Sequence, residues 1–518
     1  MSIMPLLFRG SMLRTLQTTV NIIVGLFMLP FMISILGEDL YGIWILIGGF
    51  TASLHLMDFG FASAVTRFVV RYLTEKEYDE ANEVISSALV VYIILGLLVA
   101  IVTLIIAVIS DIWISNPENV DLVFALITIT GLSLAIEFPF KAFAGVSIAY
   151  MRHDLNALSQ IIIKVISTVV SIFLLLQGYE LIAIALVGLG SSLLSNIVFV
   201  IIARRLFQDI AVSLSRAKRD KIKQLSGFSF WAFLTDISSL LNKKMDIFMI
   251  GAFLGLSTLT IYYVSLRLVE YTILFLGRAT GITMPIFTKK FSENNTKELN
   301  EAILIFVRIN LMLGCYAVFM AVFFGRTVIE AWMGSGFNVD LAYYSLCVLI
   351  SGKILLFIFG PLASALMALN KHQWLSYLGL TELSISAVVI YLAIGIFDLG
   401  ILGASFGAVV PLFVTRFLVL PIIVEKKVGL KLSKIYSNLY RPFFCIIAAV
   451  LICIQLRSYI FTEATVLYQF YFSLVASIVY WVFSLSALTS KEWTHLFKIL
   501  PERFSNSWLS KTLTQKRR

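Results

Sequence analysis

The sequence predicts an all-α polytopic membrane protein of about fourteen transmembrane helices, in two six-helix pseudo-repeat lobes plus two C-terminal helices. Three observations carry that prediction. Of 518 residues, 59% are hydrophobic and only 14% charged, with a mean hydropathy of +0.95. A soluble domain is nearer half apolar and a quarter charged, so this chain needs lipid as its solvent. The apolar residues fall in continuous runs of about 20 rather than in alternation, which calls for helices and not barrel strands. Finally, short signatures recur on either side of a basic central stretch, Arg204 to Lys223.

Spans are expected at roughly 16–36, 41–65, 84–109, 121–149, 157–177, 181–203, 226–252, 259–286, 301–324, 341–369, 374–396, 401–424, 443–461 and 466–488. The first run is long enough to span and lacks a cleavage site, so no cleavable signal is expected. With the N-terminus inside, one side of the membrane collects Arg67, Arg71, Lys76 and Arg152, then the seven cations of the central stretch, then Lys289, Lys290, Lys297 and Lys371. Lys426, Lys427, Lys431, Lys434 and Arg441 follow on that side, and the tail adds Lys491, Lys498, Arg503, Lys511, Lys516, Arg517 and Arg518. The other side offers Arg326 and Arg457 alone. Cationic loops stay in the cytoplasm, so both termini are placed there. External connections read as turns at Gly37–Leu40, Gly178–Glu180 and Phe397–Gly400, with the longest from about Gly325 to Asp340. None is large enough to house an active site.

The repeat pairs Leu36-Gly37 and Tyr41 with Leu254-Gly255 and Tyr262. Pro139 and Arg152-His153 pair with Pro361 and Lys371-His372, and Gly188 with Gly407. The expected organisation is therefore an N-terminal lobe with its basic loop (1–224), a C-terminal lobe (225–424), and two extra spans with a basic tail (425–518). Parallel repeats about an axis normal to the membrane are a transporter architecture, with binding near the midplane.

Charged residues within spans mark wet cavities or partners, because a charge at the bilayer centre costs at least about 2.5–3.5 kcal/mol. On span seven, Asp236, Ser239, Lys243 and Asp246 share one helical face; on span eight, Tyr263, Arg267, Glu270 and Arg278 do. Their milder counterparts are Arg14, Gln17, Asn21 and Gly25, on or just before span one, and Thr51, His55 and Asp58 on span two. Glu137 and Lys141 read as a structural i,i+4 pair. Arg308, Lys164 and Arg416 read as side chains snorkelling to the interface.

Enzyme signatures are missing: no G-x-x-x-x-G-K-[ST] loop, no D-x-D and no H-E-x-x-H helix. Gly403-Ala404-Ser405-Phe406-Gly407 fits G-x-S-x-G but opens an apolar span, so it reads as small-residue helix packing. Cys315, Cys347, Cys445 and Cys453 lie in apolar spans with no disulfide or metal spacing. No enzyme activity, cofactor, metal or nucleic-acid partner is expected. Basic tail residues beside spans read as contacts with membrane lipids or as topology signals.

The segment Gly37-Glu38-Asp39-Leu40-Tyr41-Gly42-Ile43-Trp44, with Asp58-Phe59-Gly60-Phe61 and Thr66-Arg67, resembles the opening of bacterial polysaccharide-biosynthesis flippases. These belong to the multidrug/oligosaccharidyl-lipid/polysaccharide exporter superfamily. Lys244-Met245-Asp246-Ile247-Phe248-Met249-Ile250-Gly251, followed by Tyr262, is similar to that family's seventh span. The resemblance covers about residues 10–430. It implies transport of a polyprenyl-diphosphate-linked oligosaccharide (an O-antigen, capsule or exopolysaccharide repeat unit) from the inner to the outer leaflet of the bacterial cytoplasmic membrane. A polysaccharide polymerase and assembly proteins join membrane lipids as its partners in that setting.

Arg14, Lys243, Arg267 and Arg278 are then the cavity cations for the diphosphate. Asp58, Asp236, Asp246 and Glu270 would hold them or carry a coupled proton. Trp44, Trp231, Tyr262 and Tyr263 are aromatics a glycan would meet, with packing as the commoner role of each. A cation-coupled drug or organic-cation antiporter of the same superfamily is the alternative. It would want acids in its cavity, and span one has none.

Overall fold

The computed structural model describes residues 3–110, 119–280, 283–293, 295–334, 336–371, 373–459 and 466–486, with side chains placed except at 3–8, 227–236, 238–239, 242–243, 279–280, 458–459 and 466–470. Trp231, Asp236, Ser239 and Lys243 are thus described by backbone alone. His372 and the tail cations from Lys491 to Arg518 lie outside the described residues.

Every described element is helical, as continuous apolar runs in lipid require. In chain order the helices are α1 Ile3–Leu54, α2 Phe61–Glu75, α3 Tyr78–Val108, α4 Val120–Glu137, α5 Ala144–Ala149, α6 His153–Leu176, α7 Leu181–Leu206, α8 Arg219–Phe253 and α9 Leu256–Thr280. They continue with α10 Thr283–Ser292, α11 Thr296–Met333, α12 Val339–Ile358, α13 Gly360–Ala368, α14 Gln373–Tyr391, α15 Gly400–Leu412, α16 Leu420–Val428, α17 Leu432–Tyr459 and α18 Val466–Ser486. Among the described residues, eleven helices are long and apolar enough to cross a membrane, and Tyr471–Ser486 is a shorter apolar one. The chain is a multi-pass membrane protein. Expected spans one and two share α1, which breaks at Gly37 (φ 80°, ψ 172°). The second of them ends early, because Phe59 and Gly60 adopt positive φ and α2 starts a new direction.

The chain divides into two compact units, Met1–Tyr263 and Val264–Arg518. In the first, α2 buries Ala64, Val65, Val69, Tyr72 and Leu73 along one face, leaving Arg67 and Arg71 off that face. These pack with Val84, Ala88, Tyr92, Leu134 and Phe138 into one core. Gly42 lets α1 approach α9 closely: a Cβ there would stand 2.4 Å from the carbonyl oxygen of Leu256. The central basic stretch is mostly helix at both ends, and only about Phe207 to Lys218 is loop. That loop is fastened to α3. Asn82 donates to the carbonyl of Asp209 at 2.9 Å and accepts from Ala211 N–H at 3.0 Å, and the Lys218 N–H donates to Ser87 Oγ at 2.9 Å.

In the second unit one core joins α10 to α14, α16 and α17, and a smaller aromatic one joins α11 to α17 and α18. The connection expected from Gly325 to Asp340 is shorter than that, because α11 runs on to Met333 and α12 starts at Val339. The G-x-S-x-G run lies on α15 as packing surface. A Cβ on Gly407 would stand 2.9 Å from the backbone nitrogen of Ile390, and Ser405 Oγ is 2.7 Å from Ser345 Oγ. Both lie within the helical bundle, with no strand-to-helix turn to present a nucleophile.

The signatures that recur in sequence recur in backbone geometry. Gly37 and Gly255 both take positive φ (80° and 88°), a conformation in which side chains clash. Met151 and Asn370, one residue before Arg152 and Lys371, sit at φ 54° and 56°. Each pair closes its helix alike: Arg152 N–H reaches the Ser147 carbonyl at 2.9 Å, and Lys371 N–H the Leu366 carbonyl at 2.8 Å.

Candidate functional site

Among the described residues, the candidate site charges and the buried ion pairs of the spans fall in four local constellations, two in each unit. The first gathers at the start of α6. Asp154 is 1% exposed and pairs with Arg152 at 3.0 Å and with Arg9 of α1 at 3.5 Å. One turn further along α1, Arg14 Nη2 lies 2.6 Å from His153 Nδ1. A buried carboxylate thus anchors the surrounding cations, and Arg14 stays exposed beside them.

The second constellation holds Asp58 and Asp246, the two candidate cavity acids of this unit whose side chains are described, and both are engaged. Asp58 Oδ1 accepts the N–H of Ala62 at 3.2 Å, capping α2, and the hydroxyl of Tyr92 at 3.1 Å. Asp246, 2% exposed, accepts the Tyr262 hydroxyl at 2.5 Å and the Ile247 N–H at 2.9 Å. Tyr262 is fully buried, so it serves this carboxylate and presents no face to a glycan. Tyr263 makes an edge contact with Tyr41, centroids 6.3 Å apart.

In the second unit, Arg267 Nη1 donates to Glu270 Oε2 at 2.7 Å, an i,i+3 pair with both side chains partly exposed. Arg278, two turns on, is exposed. The fourth constellation was not foreseen. Arg416 and Glu382 form a bidentate pair, Nε to Oε1 at 2.6 Å and Nη2 to Oε2 at 3.0 Å, with Thr415 donating to Oε1 at 2.6 Å. Only the Nη2 contact has hydrogen-bond geometry; the Nε contact is electrostatic. Arg416 sits on a π-helical turn, Phe413–Val419, which rotates it toward α14. No spacing in the sequence announces such a turn.

The snorkelling expectation therefore fails for two residues. Arg416 is 14% exposed and salt-bridged, and Arg308 is 8% exposed with Nε 3.2 Å from the Asn438 carbonyl. A protein partner solvates the charge better than a stretched side chain reaching for the interface. Glu137 and Lys141 keep an electrostatic interaction, but not in the regular helical geometry expected. The chain tightens to a 3₁₀ turn at Phe138–Phe143, which breaks the i,i+4 register, and Lys141 Nζ also lies over the Phe138 ring at 4.3 Å.

The second unit also holds a cavity of about 590 Å³ between α11, α12, the π turn and α17. Its wall is mostly hydrocarbon and aromatic, with Cys315, Phe319, Phe359, Phe417 and Phe443 prominent, and the Tyr436 hydroxyl is satisfied by donating to the Phe417 carbonyl. Such a lining favours alkyl chains and excludes charge. Sequence reasoning missed it because its walls come from spans distant in the chain.

The fold is shared with solved membrane transporters. Solved structures similar to it include the lipid II flippase MurJ in an inward closed conformation (TM-score 0.70, 14% identity, 91% of this chain and 97% of that one). An inward-facing multidrug resistance MATE transporter of the MOP superfamily aligns with TM-score 0.65 and 16% identity over 81% of this chain and 96% of that one. A MOP superfamily transporter from Pyrococcus furiosus, described as having a binding pocket of reverse polarity, aligns with TM-score 0.56 and 15% identity over 82% and 94%. No curated protein matches at sequence level. Residues 16–340 match the family described as "Polysaccharide biosynthesis protein", and the chain belongs to that family.

Proposed function

We propose that this protein moves a polyprenyl-diphosphate-linked oligosaccharide, the repeat unit of an O-antigen, capsule or exopolysaccharide, from the cytoplasmic to the outer leaflet of the inner membrane by alternating access. The observation that carries this reading is family membership over residues 16–340 in a fold shared with lipid and drug transporters. The cavity supports it. Its apolar lining suits a stretch of polyprenyl chain, while the head group needs hydrated, cationic surroundings to cross.

In this reading residues 1–224 and 225–424 are the rocking lobes, and both termini face the cytoplasm. Arg14, Lys243, Arg267 and Arg278 neutralise the diphosphate, the arginines by bidentate hydrogen bonds and the lysine as a point charge. Asp58 and Asp246 hold Tyr92 and Tyr262 in place, so Glu270 is the acid best placed to tether the cargo-binding Arg267, and Asp236 stays a candidate for proton coupling. The polymerase and assembly proteins of polysaccharide synthesis would receive the cargo.

The test is leaflet assignment of lipid-linked oligosaccharide with an impermeant glycan label. Arg267→Ala is expected to abolish externalisation at normal protein levels, and Arg267→Lys to keep part of it. Wild-type rates in Arg267→Ala would sink the assignment. Unchanged glycan sidedness without the protein, together with accumulation of a cationic dye, would instead favour the antiporter.

A further inference from the structure

We propose that the strap between α7 and α8 is a preformed binding surface for anionic phospholipid headgroups. Its cations divide into two sets. Arg216, Lys218 and Lys221 turn toward α3 and pair with Asp79, Glu83 and Glu80. Lys221 also donates to the Tyr72 hydroxyl and lies over its ring at 4.7 Å. Burial opposes the charge on Lys221, but its bonds to Glu80 and Tyr72 outweigh that and raise its pKa above the ordinary lysine value. Arg204, Arg205, Arg219 and Lys223 form the second set. All four are exposed, and none has an ion pair or hydrogen bond among the described residues.

The placement of this second set suits a lipid surface. Arg204 and Arg205 end a membrane-spanning helix, so they stand at headgroup level. Arg219 and Lys223 are i,i+4 neighbours on α8, just before its apolar run begins. Between the two pairs, Leu214 is 59% exposed on a short 3₁₀ turn, an apolar side chain amid cations. Asp209 and Asp220 are the acids within the strap, and they leave it positive overall.

What distinguishes this from a loose basic loop is that the backbone is pinned. Asn82, Ser86 and Ser87, nearly or fully buried on α3, bond to strap backbone at 211, 213 and 218. The outer cations are held in place before any headgroup arrives, so little ordering entropy opposes binding. Each cation near an anionic surface is worth about fivefold in affinity, and salt screens the attraction.

The experiment is native mass spectrometry of the detergent-solubilised full chain, titrated with phosphatidylglycerol or phosphatidylcholine. Replacing the four outer cations (Arg204→Gln, Arg205→Gln, Arg219→Gln and Lys223→Gln together) is expected to weaken phosphatidylglycerol binding by about tenfold or more, leaving phosphatidylcholine unchanged. Arg204→Lys, Arg205→Lys and Arg219→Lys together should retain it. Equal phosphatidylglycerol occupancy in wild type and the glutamine variant overturns the proposal. So does displacement of that lipid from the wild type by free inorganic pyrophosphate, which would make this a phosphate site and not a lipid one. If the glutamine variant does not accumulate, photoactivatable phosphatidylglycerol on the wild type decides: adducts within 204–223 support the proposal, and adducts confined to other segments refute it. Neither readout depends on which cargo the protein moves.

Discussion

Arg416 and Glu382 show most sharply what a single pair of residues contributes. Each is a charge that lipid would expel, and each is tolerated because the other is within bonding distance. Removing one partner leaves the other buried and uncompensated, at a cost of about 3–5 kcal/mol. Glu382→Ala and Arg416→Ala are each expected to lower the melting temperature in detergent clearly. The double replacement Glu382→Leu with Arg416→Met should recover much of the loss. If the double variant melts no higher than the singles, the pair is not the source of the cost. Arg267 and Glu270 are different in kind: both are partly exposed, so their pairing adds little stability, and loss of Arg267 should register in transport with normal protein levels. Sequence alone located all four charges on spans. It set Arg267 and Glu270 on one face of one helix, but it did not pair Arg416 with Glu382, because pairing across α14 and the π turn depends on a helical phase that side-chain spacing does not encode.

At the scale of elements, two contacts shape the first unit. One is the approach of α1 to α9 at Gly42, where an added methyl would meet the backbone of Leu256. Backbone cannot rotate out of the way as a side chain can, so Gly42→Ala is expected to cost about 1–3 kcal/mol, visible as earlier unfolding in a thermal scan. The neighbouring Gly48 has nothing within 4 Å, so Gly48→Ala is the neutral control. The other is the strap on α3. Asn82 makes two hydrogen bonds to strap backbone, so Asn82→Ala should free it and speed proteolytic nicking between about residues 209 and 218 severalfold. Nicking at the wild-type rate would mean that the ion pairs alone hold the strap. The sequence marked this stretch as basic and as the midpoint of the repeat. It gave no sign of a docked strap, since Asn82, Ser86 and Ser87 look like ordinary polar residues near the start of a span.

For the whole molecule, the claim open to direct measurement is topology. Cations concentrate on one side of the expected spans, and the opposite turns are short. In a background with the four native cysteines replaced, a cysteine at Tyr179 or at Asp398 is expected to react with an impermeant maleimide in intact cells. One at Leu214, which is exposed on the strap, should react only after the membrane is opened. Labelling of Leu214→Cys in intact cells would invert the protein and remove the cytoplasmic placement of its ends. The same experiment constrains the transport reading, because a cargo loaded in the cytoplasm must meet Arg14 from that side.

The sequence by itself determined that this is an all-helical membrane protein, roughly where most of its spans lie, and that short signatures recur in its two halves. Those properties follow from local quantities: run length, loop charge, and signatures such as Gly37 and Gly255 whose backbone conformations recur. It also marked Gly37 as the start of a turn, where α1 breaks. Tertiary structure alone decided which charges meet, since Asp58 finds Tyr92, Asp246 finds Tyr262 and Arg416 finds Glu382 across distances in the chain that no period describes. It likewise decided that α11, α12 and α17 enclose an apolar cavity and that the basic strap lies fastened along α3. The reason is physical: hydropathy is set residue by residue, whereas a partner for a buried charge exists only once helices have packed and fixed their rotation.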